Sequence, residues 1–191
     1  MVRRARAAIW PGRNGMTPSR WEGAVRSGQA LSRLAIRGTH GTVTIDFTAV
    51  DRWFEEDVEV FVHPRSPFTR VDALASSRHV VISIDGVVLA DSHKPTMLFE
   101  TGAPSRHYLP MTDVNLDLLE ESTTRSSCPY KGDARYWSAL LDGRVERDIA
   151  WSYKTPMPEA TPIAGLICFY DEKLDVDVDG LRQPRVVSHF A

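Results

Sequence analysis

Cysteine is scarce in this chain of 191 residues: Cys128 and Cys168 are the only two. Two thiols are too few for a disulfide scaffold or a four-thiolate zinc site, so they read as free, and free thiols point to a reducing compartment. Long apolar runs are lacking as well, and none approaches the ~20 residues of a membrane-spanning helix. Arg3 and Arg4 resemble the start of a twin-arginine signal, but Arg6 and then Pro11-Gly12-Arg13 interrupt the apolar stretch such a signal needs. The expected location is cytoplasmic, with no membrane partner. Net charge has no strong sign either: at −2 it gives no reason to expect nucleic acid as a partner. The glycine-rich patterns that cradle phosphate are missing, as is the Gly-x-Ser-x-Gly nucleophile elbow. His63, His79, His93 and His107 are scattered without the usual spacing of a metal site. Glu55-Glu56-Asp57 lacks the spacing and the glycine of a calcium loop and reads as a solvated face. No metal and no cofactor are expected.

Charge is distributed less evenly than its sum. Residues 1–40 hold eight arginines against the single acid Glu22, a local net charge of +7 that leaves −9 for the rest of the chain. An arm for nucleic acid or an acidic partner would have this composition. So would a weakly ordered extension, which the Gly and Pro punctuation and the lack of sustained apolar periodicity favour.

From residue 41 onward the sequence is one of strands and turns. Thr42–Phe47, Val58–Val62 and His79–Ile84 alternate with period two. Asp85-Gly86 then predicts a hairpin over about 79–90, and Asp142-Gly143 a second between Tyr136–Leu141 and Arg144–Tyr153. Asp179-Gly180 is a third turn dipeptide. Residues 163–170 form an apolar run of strand length, and Leu174–Val178 alternates again. Helical signals are few: a turn from Thr112-Asp113 through Leu119, and another at Pro156–Ala160. The length suits one domain with appendages. A faint echo aligns Gly41–Asp51 with Gly165–Asp175 without a gap.

An ordered set of short motifs carries a family resemblance: Val87–Ser92, Glu100-Thr101-Gly102, Tyr108-Leu109-Pro110, Cys128-Pro129-Tyr130-Lys131-Gly132-Asp133-Ala134-Arg135-Tyr136-Trp137, Ala150–Tyr153, Ile163-Ala164-Gly165 and Phe169-Tyr170. Together they resemble the domain of unknown function 427 family over residues 78–180. Many relatives carry two copies in tandem, and the joining segment looks like Arg52–Asp57 through His63–Pro67. The resemblance thus implies a complete unit at 78–180, a remnant strand and connector of a truncated first copy at 41–77, the Arg-rich extension at 1–40 and a tail at 181–191. It also implies a mainly β, β-tent-like fold: two small antiparallel sheets leaning together, with one or two short helical turns. The β-tent group includes methionine sulfoxide reductases and the drug-binding domain of cereblon. Many of its members hold zinc with two Cys-x-x-Cys pairs, which this chain does not have, so an aromatic core is expected to replace the metal.

Several residues within the resemblance could carry chemistry. Cys128 lies close to Lys131, and a cation lowers a thiol's pKa; the alternative is a small buried hydrophobe. Cys168, inside an apolar run, reads as core. Lys131-Gly132-Asp133 presents a cation beside an aromatic wall, suited to an anionic or carbonyl-bearing ligand, or else is a solvated turn. Tyr108, Tyr130, Tyr136, Trp137, Trp151 and Tyr153 fall within 46 residues. Strand alternation puts Tyr136 and Trp137 on opposite faces and Trp151 and Tyr153 on one, so these aromatics can line a cleft or fill a core. Glu100, after Met97-Leu98-Phe99, is a candidate acid/base or an ion partner for Lys131.

Three functions follow. The first is a domain binding a small molecule or peptide in a cleft between the sheets, lined by Tyr136, Trp137, Trp151 and Tyr153 with Lys131 and Glu100 at its mouth. An enzyme using Cys128 as nucleophile or redox thiol is the second. The third is a homo-oligomer or partner complex formed by strand addition at 42–47.

Overall fold

Three type I′ turns organise the chain. Asp85 and Gly86, Asp142 and Gly143, and Asp179 and Gly180 all adopt positive φ, the geometry that suits the twist of a two-residue hairpin. The computed structural model describes residues 6–9, 21–27, 30–36, 43–46, 51–60 and 71–188, with side-chain surroundings for 51–59 and 71–188. Both expected hairpins form around their turns, and the third Asp-Gly dipeptide closes one as well. Strands β8 (Val80–Ile84) and β9 (Val87–Ser92) flank the first, β13 (Gly132–Leu141) and β14 (Arg144–Tyr153) the second, and β16 (Asp175–Val178) and β17 (Leu181–Arg182) the third.

The fold is mainly β, and its named strands pair antiparallel. One sheet has seven strands in the order β12-β13-β14-β15-β11-β10-β7. The strands not yet placed are β7 (Val71–Ala75), β10 (Thr96–Glu100), β11 (Arg106–Leu109), β12 (Leu119–Cys128) and β15 (Ile167–Phe169). The second sheet, β17-β16-β8-β9, has four strands. A sheet of seven is larger than the small sheets expected, because β7 and the polar β12 extend its two edges. The described residues also contain three 3₁₀ turns, at Met111–Asp113, Leu116–Leu118 and Pro158–Ile163, rather than one or two.

Between these sheets lies an aliphatic core. Val80, Ile82, Ile84 and Leu89 of the small sheet meet Leu109, Ala139, Leu141, Ile167 and Phe169 of the large one, with Trp137 packed at the margin. Apolar burial of this kind contributes about 25 cal/mol per Å² and is the main stabilising term.

N-terminal to this body, β1 (Arg6–Ile9) pairs with β4 (Val43–Asp46). Strands β2 (Trp21–Ser27), β3 (Ala30–Ile36), β5 (Arg52–Glu55) and β6 (Val58–Val60) form a sheet in the order β3-β2-β5-β6. The rest of the proposed extension at 1–40, and residues 61–70 of the proposed connector, lie outside the described residues.

One expectation about this region is corrected. Glu55-Glu56-Asp57 is not a solvated face: Glu55 is 3% and Glu56 0% exposed. A carboxylate buried so fully needs compensation. Arg78 supplies it, donating from Nε to Glu56 Oε2 at 3.0 Å and from Nη2 to Oε1 at 2.7 Å, while the Ser76 hydroxyl donates at 2.7 Å. This pair and the Asp57 N–H bond to the Ala75 carbonyl fasten the turn between β5 and β6 to the edge of the large sheet. No helix of the described residues is long and apolar enough to cross a membrane.

Candidate functional site

The outer face of the large sheet is aromatic. Antiparallel register makes Tyr136, Trp151, Cys168 and Tyr108 successive cross-strand neighbours on β13, β14, β15 and β11. Paired residues project to the same side, so these four form one row. Tyr153, paired with Ala134, lies in the adjacent row. A register irregularity in β13 and β14, with Asp148 at positive φ, separates this arrangement from the inner face, where Ile149 joins the aliphatic core. The 3₁₀ turn Pro158–Ile163 lies over the aromatic face and contributes Ala160 and Ile163 to its packing.

Most of this cluster is interior. Tyr108, Tyr153 and Trp151 are 0%, 5% and 8% exposed, whereas Tyr136, Tyr170 and Leu166 are half-buried at its rim. The Trp151 indole N–H donates to the Tyr108 hydroxyl at 3.0 Å, the rings meeting edge to face at 6.3 Å between centroids. The buried indole N–H is thereby satisfied, with the phenol oxygen as its acceptor. Tyr170 packs on the indole at 4.5 Å, and Arg106 lies 5.4 Å from the centroid of Trp151 and 5.8 Å from that of Tyr170. Tyr136 and Ser126 share a hydroxyl hydrogen bond of 2.8 Å.

Lys131 and Arg106 each face a carboxylate, whereas Lys173 stands over the Tyr170 ring, its Nζ 4.9 Å from the centroid. Arg106 makes a two-pronged contact with Glu172, at 2.8 Å and 2.6 Å, and both side chains are 7% exposed. Burial is the largest influence and opposes the arginine's charge, but the Glu172 hydrogen bond together with the charges of Cys168, Asp171 and Glu172 outweighs it and the pKa is raised. Burial likewise works against the Glu172 charge, yet Arg106 and Ser188 hold its carboxyl below the usual range. Lys131 donates to Glu100. The phenols respond to burial in the ordinary sense. Tyr108 is pushed well above its usual value, and Tyr170 is pushed up by burial and by Tyr136. Tyr153 is pushed up by burial and then by Cys128, Tyr136, Cys168 and Glu100 around it.

The backbone reason for the Lys131 position is local. Gly132 closes the turn from β12 with φ +96°, and a Cβ there would stand 3.2 Å from the Thr155 carbonyl oxygen. Only glycine accepts both constraints without strain. The Met157 N–H bonds to the Lys131 carbonyl, which fixes the turn against the segment entering the 3₁₀ turn.

Glu100, Tyr108, Lys131, Tyr136, Trp151 and Tyr153 thus belong to the aromatic face or to the ion pair at its margin. Cys128 is half-buried and pairs with Gly132 in register, on the side of Ser126 and Ala134 and near the Tyr153 phenol. Three other candidates lie apart. Asp133 is exposed on the opposite side, accepting from Ser127 at 2.6 Å; Trp137 packs on the inter-sheet core; Tyr130 is 61% exposed at the turn tip. The cleft expected between the sheets is corrected as well: mostly aliphatic side chains, with Phe169 and the edge of Trp137, fill that space, and the Tyr108–Trp151–Tyr153 cluster lies on the outer face. Sequence reasoning missed Arg106, Tyr170 and Glu172. The Phe169-Tyr170 motif contains one of them, but nothing local links Arg106 to a glutamate 66 positions away.

Residues 72–180 match the family model described as a domain of unknown function (DUF427), whose short name is NTP_transf_9. No curated protein matches the sequence.

Proposed function

The chain belongs to the DUF427 family, and from that premise we propose that it binds a small molecule or peptide at the rim of its outer aromatic face. What carries the reading is the continuous row from Tyr136 to Tyr108, buried at one end and half-exposed at Tyr136, with Tyr170 beside it. Fixed aromatic walls beside a few hydroxyls are the composition of small-ligand sites. Because Lys131 is paired with Glu100 and Arg106 with Glu172, an anionic ligand reaching either cation would have to displace a carboxylate, which leaves the exposed Lys173 over Tyr170 as its other contact. A neutral carbonyl-bearing group needs only a hydrogen bond from a tyrosine or from Lys131. Free thiols at Cys128 and Cys168 suit a cytoplasmic setting.

The test is a fluorescence titration with neutral heteroaromatic amides, aromatic peptides and nucleoside triphosphates, the last prompted by the family model's short name. The expected result is saturable binding of a neutral probe that Tyr136→Ala abolishes and Cys128→Ser preserves. Triphosphate binding alone, or binding indifferent to Tyr136→Ala, contradicts the proposal.

A second reading, a thiol enzyme, draws on the partial exposure of Cys128 beside Tyr153. It requires alkylation of Cys128 in the folded protein at neutral pH. Labelling confined to denatured protein would sink it.

A further inference from the structure

We propose that His79, Asp91 and His93 form a binding site for a divalent transition-metal ion of the zinc class. The register of the first hairpin, with Val80 opposite Ser92 and Val81 opposite Asp91, brings the residue before β8 beside the residue after β9. His79 and His93, far apart in sequence spacing, are therefore neighbours: their rings stack at 4.0 Å between centroids with 12° between planes. Asp91 precedes His93 by two positions, the interval that returns a side chain to the same face of a strand. Its Oδ1 stands 2.7 Å from His79 Nε2.

One ligand atom from each residue lies within 4.8 Å of the other two. A zinc-class ion bound at about 2.0–2.2 Å needs donors roughly 3.3 Å apart, so the widest pair has at most about 1.5 Å to close while Asp91 and His79 part slightly to admit the ion. Their exposure leaves room for that: His79 is partly exposed and Asp91 and His93 are exposed. The backbone beneath them is better fixed. The His79 N–H donates to Asp179 Oδ1 at 3.0 Å and its carbonyl accepts from the Asp179 N–H at 2.8 Å. On the other strand Ser92 donates to Asp113 Oδ2 at 2.6 Å.

The chemistry selects the ion. Two imidazoles and one carboxylate suit zinc, cobalt, nickel or copper, whereas magnesium and calcium prefer oxygen ligands throughout. A metal ion binds the lone-pair nitrogen of a neutral imidazole, and each histidine ring offers one. Asp113 and Asp179 add negative charge nearby. Three protein ligands on an open surface leave the remaining coordination positions to water or to a donor from a partner. The site is independent of the aromatic face.

Chelator-treated, untagged full-length protein titrated calorimetrically with Zn²⁺, and spectroscopically with Co²⁺, tests the assignment. One saturable ion per chain is expected. His79→Ala and His93→Ala should each weaken Zn²⁺ binding at least tenfold, and Asp91→Asn should weaken it measurably. Excess Mg²⁺ or Ca²⁺ should not compete. Circular dichroism checks that each variant is folded; if His79→Ala is not, the exposed His93→Gln variant decides. No saturable Zn²⁺ binding, or binding that both histidine variants leave unchanged, overturns the site.

Discussion

One face of the seven-stranded sheet is aliphatic and closed, while the other is aromatic and partly open. On the inner side Leu109, Ala139, Ile149 and Ile167 are each 1% exposed or less and present no polar side-chain atoms. On the outer side Tyr108, Trp151 and Tyr153 are nearly as buried, but each brings a polar atom, and the buried Arg106–Glu172 pair lies alongside. The same strands build both, since alternation sends Tyr136 outward and Trp137 inward from adjacent positions. Apolar packing fills one side, while on the other the polar atoms bond to one another in the interior and leave Tyr136 and Tyr170 half-buried at the rim.

The comparison can be broken most severely from within. Phe169→Ala should cost about 3–5 kcal/mol through lost burial and a cavity, measured by denaturant unfolding. Arg106→Ala should come close to that, at about 3–5 kcal/mol, because it strands Glu172 as a buried unpaired charge. The double replacement Arg106→Met with Glu172→Met should cost markedly less than the single one; an equal or larger cost would mean that the pair itself, rather than the orphaned charge, sustains the outer face. Gly132→Ala should lose more than about 1 kcal/mol through its left-handed backbone and the approach to Thr155, and should also displace Lys131. Tyr136→Phe is expected to be mildest for stability, about 0.5–1.5 kcal/mol or less, since its hydrogen bond to Ser126 is exposed. Its effect should appear in ligand binding.

Alkaline titration separates the faces in another way. Burial raises the Tyr108, Tyr153 and Tyr170 phenols above the ordinary value of ~10. A raised folded pKa favours the protonated folded form, so stability is fully present below ~10 and falls as pH climbs above it toward the folded values. Tyr153→Phe should flatten that decline. An unchanged alkaline profile would detach the outer face from it.

How much of this the sequence revealed depended on local signals. The three Asp-Gly turns fix the hairpins because only a few residue types tolerate two successive positive φ values, and the opposed directions of Tyr136 and Trp137 followed from period two. Strand β12 was hidden: Leu119–Cys128 is almost entirely polar, as an exposed edge strand can be, and has no apolar alternation to betray it. Glu56 looked solvated because its partner, Arg78, is 22 residues away. Stacking of His79 on His93 was likewise invisible to spacing along the chain, although it follows from the hairpin register. At the candidate site, the aromatic residues were legible one by one. That they form a row across four strands, with Arg106 over two of the rings, depends on pairing between distant strands.

The central claim, that the outer aromatic face is the ligand face, is tested most directly by indole-resolved NMR during a fragment screen of the full chain. The account predicts that neutral carbonyl-bearing heteroaromatic fragments perturb the Trp151 Nε1–H signal, which reports on the Tyr108 hydrogen bond, and that Tyr136→Ala removes the perturbation while the fold persists. Fragments that leave Trp151 unmoved while shifting Trp137 or the small sheet would contradict it.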